Sequence, residues 1–384
     1  MAAGIKAGPI GPIVMGTMSH GSGFEIPFTR YLDAEGREIA PLPEFARDAE
    51  ALVADYRAMV LMRAFDAKAI ALQRTGQIGT YASTLGKEAV DAGLGAAMAK
   101  DDVLLPSYRE SGILMLRGVS PHRTLLYWGG DERGSVFPES PRDFPFNVPI
   151  ASQMPHAVGV AYAMKLRREP RVAVALCGDG ATSKGDFYEA INAAGVWRLP
   201  MVVVVVNNQY AISVPRRLQS AAQTLAQKGV AAGIACEQTD GNDLIAMRDA
   251  ASRALERARS GAGPTLLEAL TYRLSDHTTA DDATRYRSAE ELAAQWKVEP
   301  ILRLRSFLAS RGAWSAEKEQ ALVRDVNTAV QRTVEAYLRT PAPGPEQMFA
   351  HLYARLPRQY EAQRAAAVGA AREETEHDVE HHAR

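Results

Sequence analysis

Cysteine is scarce in this sequence, charge is balanced, and no long apolar run is present. Of the 384 residues only Cys177 and Cys236 are cysteines, and they form no CxxC pair. We therefore expect neither a disulfide framework nor a thiolate metal site, and we predict a reducing, cytoplasmic location. The formal net charge is −1 and Lys and Arg form no block, which argues against nucleic acid or a membrane surface as a partner. No run approaches the roughly 18 apolar residues of a membrane span.

Strand-like and helix-like segments alternate from residue 151 onward. The predicted strands are 171–176, 201–206 and 265–274, and the run MVVVVV at 201–206 is typical of a strand buried on both faces. The predicted helices around these strands cover 153–169, 186–199, 224–234 and 242–261. Short links between strands and helices indicate a doubly wound parallel sheet, so the predicted fold class is α/β.

The rest of the chain divides into an arm, a main domain and a tail. Residues 1–43 are rich in Gly and Pro and are predicted to form an extended N-terminal arm with a short hairpin at 30–39. The main domain is predicted to span 44–340, and a helical, charged tail is predicted at 341–384. The remaining segments of the main domain are predicted as helices at 44–75 and 86–100, a strand, turn and helix at 102–118, an irregular stretch at 119–150, a polar loop at 274–288 and helices at 289–338.

Two neighbouring predicted strands end in small, acidic and amide residues. CGDGATSKGDF (177–187) follows the first, and NNQYAISVP (207–215) follows the second. Because the carboxyl ends of parallel strands lie at one edge of a sheet, a ligand is expected to bind there. A nicotinamide dinucleotide is the first alternative, but the glycines lack the G-x-G-x-x-G spacing, and Asn207-Asn208 stand where an acidic ribose ligand would be.

The same residues suit a metal ion and a diphosphate. Asp179 and Asn208 each follow a strand, so both can direct an oxygen at one Mg²⁺, and a backbone carbonyl just after Asn208 can add a third ligand. Glycines on both sides of Asp179 let backbone N–H groups approach a diphosphate, which the following helix supports with its N-terminus. This constellation resembles the thiamine-diphosphate signature.

The resemblance extends from about residue 45 to about residue 335. It includes SYRESG (107–112), VPIASQMPHAVGVAYAMK (148–165) and DHTTADDATRYRS (276–288). Together with the two strand ends, these motifs resemble the α subunit of the decarboxylating first component of 2-oxo-acid dehydrogenase complexes. That family includes pyruvate, branched-chain 2-oxo-acid and acetoin dehydrogenases. The resemblance implies a transketolase-like fold in which the main domain binds thiamine diphosphate.

The family's cofactor and metal contacts carry over residue by residue. The resemblance implies that Asp179, Asn208 and the backbone of Tyr210 ligate Mg²⁺. The other contacts that it implies with thiamine diphosphate are made by Tyr108, Arg109, Val148, Ile150, Gly180, Ala181 and His277. His277 is also the catalytic candidate, because a histidine in a polar loop can donate to a phosphate or move a proton near neutral pH. It matches the family's essential loop histidine.

One group that the chemistry needs is missing from these motifs. A carboxylic acid must protonate the cofactor's aminopyrimidine ring, and no Glu of this chain stands in a matching motif. In the family this Glu comes from a β chain, so the resemblance implies a heterotetramer of two α and two β chains. It also implies that the acyl unit passes to a lipoyl-bearing acyltransferase component.

Pyruvate is the expected 2-oxo acid substrate. The spacing from Tyr108-Arg109 to Gln153 resembles bacterial pyruvate-type chains. Branched-chain and acetoin dehydrogenases stay open as alternatives, since YRESGILMLRG is also similar to branched-chain enzymes. Two further classes are a self-sufficient thiamine enzyme, which would be a longer chain with its own activating Glu, and a non-catalytic scaffold. The joint presence of Asp179, Asn208, Arg109 and His277 argues against the scaffold.

Overall fold

The computed structural model describes residues 25–350 and 352–382, with side chains of the last helix described as far as residue 371. Residues 1–24 of the predicted N-terminal arm lie outside these ranges. The chain divides into two compact units, one of residues up to Val334 and one of residues from Glu335 onward. Our sequence-based boundary lies between residues 340 and 341.

The described residues form the following helices and strands. The strands are β1 Phe28–Thr29, β2 Val103–Leu105, β3 Ala173–Gly178, β4 Met201–Asn207, β5 Tyr210–Ala211, β6 Val214–Pro215, β7 Ala235–Asp240 and β8 Thr265–Leu270. The helices are α1 Glu44–Arg47, α2 Val53–Arg74, α3 Glu88–Ala97, α4 Ser111–Leu116, α5 Pro121–Trp128, α6 Gln153–Arg167, α7 Gly185–Val196, α8 Arg216–Gln219, α9 Gln227–Ala231, α10 Leu244–Arg259, α11 Ala289–Trp296, α12 Pro300–Ser310, α13 Ala316–Leu338, α14 Gln347–Ala350 and α15 Arg358–His382. Short 3-10 helices lie at Ala49–Leu52, Glu132–Ser135, Asp179–Ser183 and Ala283–Arg285.

A parallel sheet of six strands forms the centre of the first unit, in the order β1-β7-β8-β4-β3-β2. β3 pairs with β4 from Ala173↔Met201 to Gly178↔Val206, and β4 pairs with β8 up to Asn207↔Leu270. The carboxyl ends of these three strands therefore lie side by side. The predicted α/β fold with a parallel sheet is confirmed.

Apolar layers cover both faces of the central strands. On β3, Ala175 and Cys177 lie in the layer that α6 and α7 complete, whereas Val174 and Leu176 lie in the layer that α3 and α10 complete. All four side chains are at most 1% exposed. Since burial of one Val or Leu side chain contributes roughly 1.5–3 kcal/mol, the two layers account for the continuous apolar run of these strands.

Part of the predicted irregular stretch at 119–150 is helical, so that prediction was wrong for α5. Pro121 occupies the first turn of this helix after Ser120, where a missing N–H costs nothing. Thr124, Leu125 and Leu126 are its buried residues. Only eight residues form the helix, and the many Gly and Pro residues around it concealed its short apolar period.

Two strands of the six-stranded sheet were not predicted, and neither was the short β5-β6 pair. β7 reads ACEQTD, and it lacks the apolar run of a central strand because its other neighbour is only the two-residue β1. β1 belongs to the segment predicted as an extended arm, and it pairs in parallel with β7 at Phe28↔Gln238 and Thr29↔Thr239. The predicted helix at 44–75 is also divided, into α1, a 3-10 turn and α2.

The predicted hairpin at 30–39 is confirmed, and it is fastened to the main domain. An antiparallel bridge joins Leu32 to Glu38, and Gly36 adopts φ +83° at the turn. The backbone N–H groups of Tyr31 and Leu32 donate to Oδ2 of Asp243, at 2.7 and 2.8 Å. Oδ1 of Asp243 caps α10, so one buried carboxylate holds both the helix and the hairpin.

Among the described residues, no helix combines the length and apolar character needed to cross a membrane.

We expect Asp243→Ala to lower the free energy of unfolding by about 3 kcal/mol, because it removes a helix cap and leaves two buried amides unpaired. Urea unfolding followed by tryptophan fluorescence measures the loss. Asp48→Ala is the matched control, since exposed Asp48 caps only the short helix at Ala49–Leu52; its expected loss is below about 1 kcal/mol. Equal losses in the two variants would show that the hairpin attachment contributes nothing.

Candidate functional site

A cavity of about 230 Å³ lies at the carboxyl ends of β3 and β4. Most of the site residues predicted from the sequence line it together: Tyr108, Arg109, Ile150, Asp179, Gly180, Ala181, Asn208, Tyr210 and His277. Val148 is 52% exposed and is absent from the lining, where Pro149 and Ile150 form the adjacent wall. Segments that are far apart in sequence thus converge on one concave surface.

Asp179 follows β3 directly and begins the 3-10 helix Asp179–Ser183. Its side chain is 1% exposed, and its Oδ2 atom has no hydrogen-bond partner among the described residues. Burial raises the pKa of Asp179 to about 6, although backbone N–H groups and the Arg273 guanidinium act in the opposite direction. A buried carboxylate oxygen without a partner is costly, so this atom is suited to a cation.

Gly180 allows the loop after β3 to contact the loop after β4. A Cβ atom added at Gly180 would lie 2.7 Å from Cβ of Ala211, which is too close for any side chain. The glycine is therefore required for the close approach of the two loops that flank the cavity.

The two asparagines after β4 have different surroundings. Nδ2 of Asn207 donates to Oε1 of Glu268 at 2.6 Å, beneath the cavity, while its Oδ1 accepts from the backbone N–H of Gln209 at 3.3 Å. Asn208 lines the cavity, and its Oδ1 accepts from the backbone N–H of Tyr210 at 3.3 Å. Gln209 between them has φ +74°, a left-handed conformation that is uncommon for a residue other than glycine. Asn207 thus shapes the turn and Asn208 faces the cavity.

Arg273 is a site residue that the sequence reasoning missed. It follows β8, is 2% exposed, and donates from Nη1 to the carbonyl oxygen of Tyr210 at 3.2 Å and from Nη2 to that of Ile212 at 2.8 Å. The guanidinium therefore fixes the loop after β4 from the side of β8. The only signal in the sequence was a charged residue near the end of the predicted strand 265–274.

Arg109, which is buried, and His277, which is half-buried, lie side by side next to the ring of Tyr108. Nη2 of Arg109 donates to the backbone carbonyl of His277 at 2.8 Å and lies 3.3 Å from its Nδ1. Because a guanidinium can only donate, Nδ1 must accept and the ring proton belongs on Nε2. Burial, together with the positive charges of Arg109 and Arg273, lowers the pKa of His277 to about 4, against the opposing effect of Asp281. The imidazole is therefore neutral at physiological pH.

A buried ion cluster contacts the backbone of Arg109, and the sequence analysis did not predict it. Nζ of Lys87 lies 2.5 Å from Oδ1 of Asp91 and 3.6 Å from Oε1 of Glu110, and it donates to the carbonyl of Arg109 at 3.3 Å. Burial raises the pKa of Asp91 to about 7, and Lys87 opposes this rise. In the sequence, Lys87 had the appearance of a solvated residue at the start of a Gly- and Ala-rich helix.

Gln153 is a further polar residue of the cavity lining that the sequence did not assign to it. Its Nε2 donates to the carbonyl of Leu176 at 2.6 Å, whereas its Oε1 is buried without a partner among the described residues. The lining thus combines fixed donors with two unpartnered acceptor oxygens, one on Asp179 and one on Gln153.

The fold and this lining define a cofactor-binding α/β domain of an enzyme, with its ligand site at the strand ends. A sequence family described as "Dehydrogenase E1 component" matches residues 56–346. A relative in Acholeplasma laidlawii, "Pyruvate dehydrogenase E1 component subunit alpha", is 43% identical over 309 residues, which cover 79% of this chain and 90% of the relative. A Mycobacterium tuberculosis relative, "3-methyl-2-oxobutanoate dehydrogenase subunit alpha", is 40% identical over 331 residues, which cover 86% of this chain and 89% of the relative.

The chain belongs to the dehydrogenase E1 component family. The predicted resemblance is therefore confirmed, and with it the class of enzyme, a thiamine-diphosphate-dependent 2-oxo-acid dehydrogenase.

We expect the imidazole of His277 to stay neutral in the folded chain until the pH falls to about 4. The unfolded chain binds this proton near pH 6.5. The folding stability that the neutral ring contributes is therefore present above pH 6.5 and is lost as the pH falls toward 4. Histidine proton NMR of the purified chain, with the signal assigned by His277→Gln, measures the pKa.

Arg109→Gln should raise the pKa of His277, because it removes a neighbouring positive charge. Arg257→Gln, which makes the same charge change on the exposed face of α10, should leave that pKa unchanged. A pKa near 6.5 in the unaltered chain, or equal shifts in both variants, would contradict the geometry described above.

Proposed function

We propose that this chain is the α subunit of the first component of pyruvate dehydrogenase, and that it holds the diphosphate end of thiamine diphosphate. In this proposal two α and two β chains form the active heterotetramer. The enzyme decarboxylates pyruvate and passes the acetyl unit to the lipoyl group of an acyltransferase component. The observation that carries the proposal is the buried Oδ2 atom of Asp179, which has no hydrogen-bond partner in the described part of the chain and lies with Asn208 at adjoining strand ends.

Oxygen atoms suited to Mg²⁺ come from both loops at these strand ends. Asp179 supplies a carboxylate, Asn208 an amide oxygen and Tyr210 a backbone carbonyl, all of them hard ligands of the kind that Mg²⁺ prefers. The described residues contain no cluster of three or more His, Cys, Asp or Glu side chains that could hold a metal ion. A site at this edge must therefore draw on amide, carbonyl and diphosphate oxygens beside its one carboxylate.

Donors for the diphosphate lie around the same edge of the sheet. The backbone N–H groups of Gly180 and Ala181 begin the loop after β3, and Arg109 has five N–H groups, of which only some are engaged by Ser83 and His277. The Nε2–H of neutral His277 can donate to a phosphate oxygen or move a proton near the reacting carbons. When bound, thiamine diphosphate supplies an electron sink for the loss of CO₂. Tyr108, Val148 and Ile150 remain predicted contacts of the cofactor.

The acid that activates the cofactor must come from a second chain. The one Glu in the lining is Glu110, whose Oε2 accepts from Ser107 Oγ and from the backbone N–H of Arg109 at 3.2 Å. Its other oxygen lies 3.6 Å from Nζ of Lys87. Glu110 is thus committed to the Arg109 side of the cavity, which supports a β chain as the source of the activating Glu.

Pyruvate is the proposed substrate, and a branched 2-oxo acid is the second candidate. Relatives named for pyruvate dehydrogenase are 36% to 43% identical, and those named for 3-methyl-2-oxobutanoate dehydrogenase are 40% identical. Acetoin dehydrogenase remains a third alternative from the sequence motifs. A cytoplasmic location remains a prediction from the scarcity of cysteine.

The full α chain should decarboxylate pyruvate only when it is assembled with its β chain. Steady-state rates with pyruvate and with 3-methyl-2-oxobutanoate, measured on the α chain alone and on the assembly, provide the test. We expect no turnover by the α chain alone and a higher kcat/KM for pyruvate in the assembly. Turnover by the pure α chain would support a self-sufficient enzyme, and a preference for the branched acid would move the assignment to the second candidate.

Asp179→Ala should abolish Mg²⁺-dependent binding of thiamine diphosphate to the assembly, with a loss of affinity of at least about 100-fold, since one charged metal ligand is removed. Isothermal titration calorimetry with and without Mg²⁺ measures this loss. Asp101→Ala, which removes an exposed carboxylate paired with Arg142, serves as the control and should bind as the unaltered assembly does. Unchanged affinity in Asp179→Ala would place the metal site elsewhere.

A further inference from the structure

Glu268 is a buried carboxylate in the middle of the sheet, and three hydrogen-bond donors converge on it. It lies on β8 and is 1% exposed. Its Oε1 accepts from Nδ2 of Asn207 at 2.6 Å, and its Oε2 accepts from the backbone N–H of Ala226 at 2.9 Å and from Nε2 of Gln238 at 3.0 Å. An ionised carboxylate only accepts hydrogen bonds, so it matches these three donors without conflict.

The bond to Asn207 fixes which way that amide faces. With Nδ2 held by Glu268, Oδ1 of Asn207 faces the chain ahead and accepts from the backbone N–H of Gln209 at 3.3 Å and from its Nε2 at 3.1 Å. These bonds stabilise Gln209 in its left-handed conformation, after which the chain brings Asn208 and Tyr210 to the cavity. The turn that presents two of the proposed metal ligands therefore depends on Glu268.

The bond to Ala226 reaches the other loop of the cavity. Ala226 precedes α9, which carries the buried Lys228. Nζ of Lys228 donates to the carbonyl oxygen of Thr182 at 2.7 Å and to its Oγ1 at 2.9 Å. Thr182 Oγ1 in turn donates to the carbonyl of Asp179 at 2.8 Å. Glu268 is thus linked to the loop of Asp179 by hydrogen bonds at Ala226 and Lys228, which the chain at the start of α9 joins.

We infer that Glu268 is a positioning residue that sets the spacing between Asp179 and Asn208, and so the affinity of the site for Mg²⁺. This inference rests on the proposed function, since it concerns the same metal site. Glu268 does not line the cavity, so it acts only through the two loops that do.

Glu268→Gln keeps the shape of the side chain but replaces one acceptor oxygen with a donor. The new NH₂ group then faces either Asn207 or the donors Ala226 and Gln238, and one buried pair of donors is left opposed. Rotating Asn207 to accept this bond would turn its own NH₂ toward the N–H of Gln209. We therefore expect the turn to loosen. Exchanging the partners, in the double variant Asn207→Asp with Glu268→Gln, restores a donor opposite an acceptor and should rescue the site.

The test measures thiamine diphosphate binding by calorimetry at a series of Mg²⁺ concentrations, on the full α chain assembled with its β chain. In Glu268→Gln we expect the half-saturating Mg²⁺ concentration to rise by about 10-fold, which corresponds to about 1.4 kcal/mol. The double variant should return to within about 3-fold of the unaltered assembly, a difference of less than about 0.7 kcal/mol. If the Glu268→Gln chain does not assemble with the β chain, Asn207→Ser replaces it in the test. This variant removes only the oriented amide, and we expect the same rise in the half-saturating Mg²⁺ concentration.

Asp102→Asn separates positioning from a general loss of stability. Asp102 is also a fully buried carboxylate, and it accepts from the backbone N–H of Val172 at 2.9 Å, but it lies at the opposite, amino-terminal ends of β2 and β3. The Asp102→Asn variant should lower the melting temperature of the assembly without changing how thiamine diphosphate binding depends on the Mg²⁺ concentration. An unaltered Mg²⁺ dependence in Glu268→Gln or Asn207→Ser, or an equal change in Asp102→Asn, overturns the inference while the proposed function stands. If the unaltered assembly binds no thiamine diphosphate at any Mg²⁺ concentration, the proposed function itself falls.

Discussion

The in-register pairing of β3, β4 and β8 is the constraint on which the rest of the site depends. Gly178 pairs with Val206, and Asn207 pairs with Leu270, so the three strands end at the same level. Residues that follow these strands, Asp179, Asn208 and Arg273, are therefore delivered to one edge without any long-range loop. The side-chain period of a strand is two residues, so a slip of one residue would move the alternating apolar side chains to the wrong layer. The two apolar layers of the sheet thereby also fix the geometry of the polar edge.

That edge carries unfavourable electrostatics in the absence of a ligand. Asp179 is buried with one oxygen unpartnered, and His277 lies near two guanidinium groups that disfavour its protonation. The carboxylate oxygen of Asp179 that has no partner among the described residues costs free energy in the folded chain, and a bound cation would relieve that cost, whereas the imidazole of His277 avoids such a cost by staying neutral. Because a ligand that binds only the folded state stabilises it by mass action, cofactor affinity and folding stability are linked in this domain. Burying the charges of Lys87, Asp91 and Glu110 also costs free energy, and this cluster contacts the backbone of Arg109 through Lys87.

Sequence patterns predicted the structure correctly where a residue type is found mainly in one structural context, such as a run of Val in a buried strand. The apolar runs of β3, β4 and β8 predicted a parallel sheet, and glycines beside an aspartate predicted the loop at its edge. The patterns did not predict elements that depend on a neighbouring element or that are very short. β7 has a polar sequence because only the short β1 covers its outer side, and α5 is too short for its period to stand out.

Three charged residues were missed for one reason. Arg273, Lys87 and Glu268 are charged, and a charged residue read alone is expected to be solvated, so only the tertiary structure reveals that each is buried with specific partners. Glu268 is the extreme case, since it lies inside an otherwise apolar strand. Its burial is tolerated because three donors meet it there, one on each neighbouring strand and one before α9. The two asparagines therefore have different roles. Asn207 donates a hydrogen bond to Glu268 below the cavity, and Asn208, the next residue, faces the cavity. In the proposed function, this arrangement presents the ligands for the charged end of the cofactor, and a second chain supplies the acid that activates the ring.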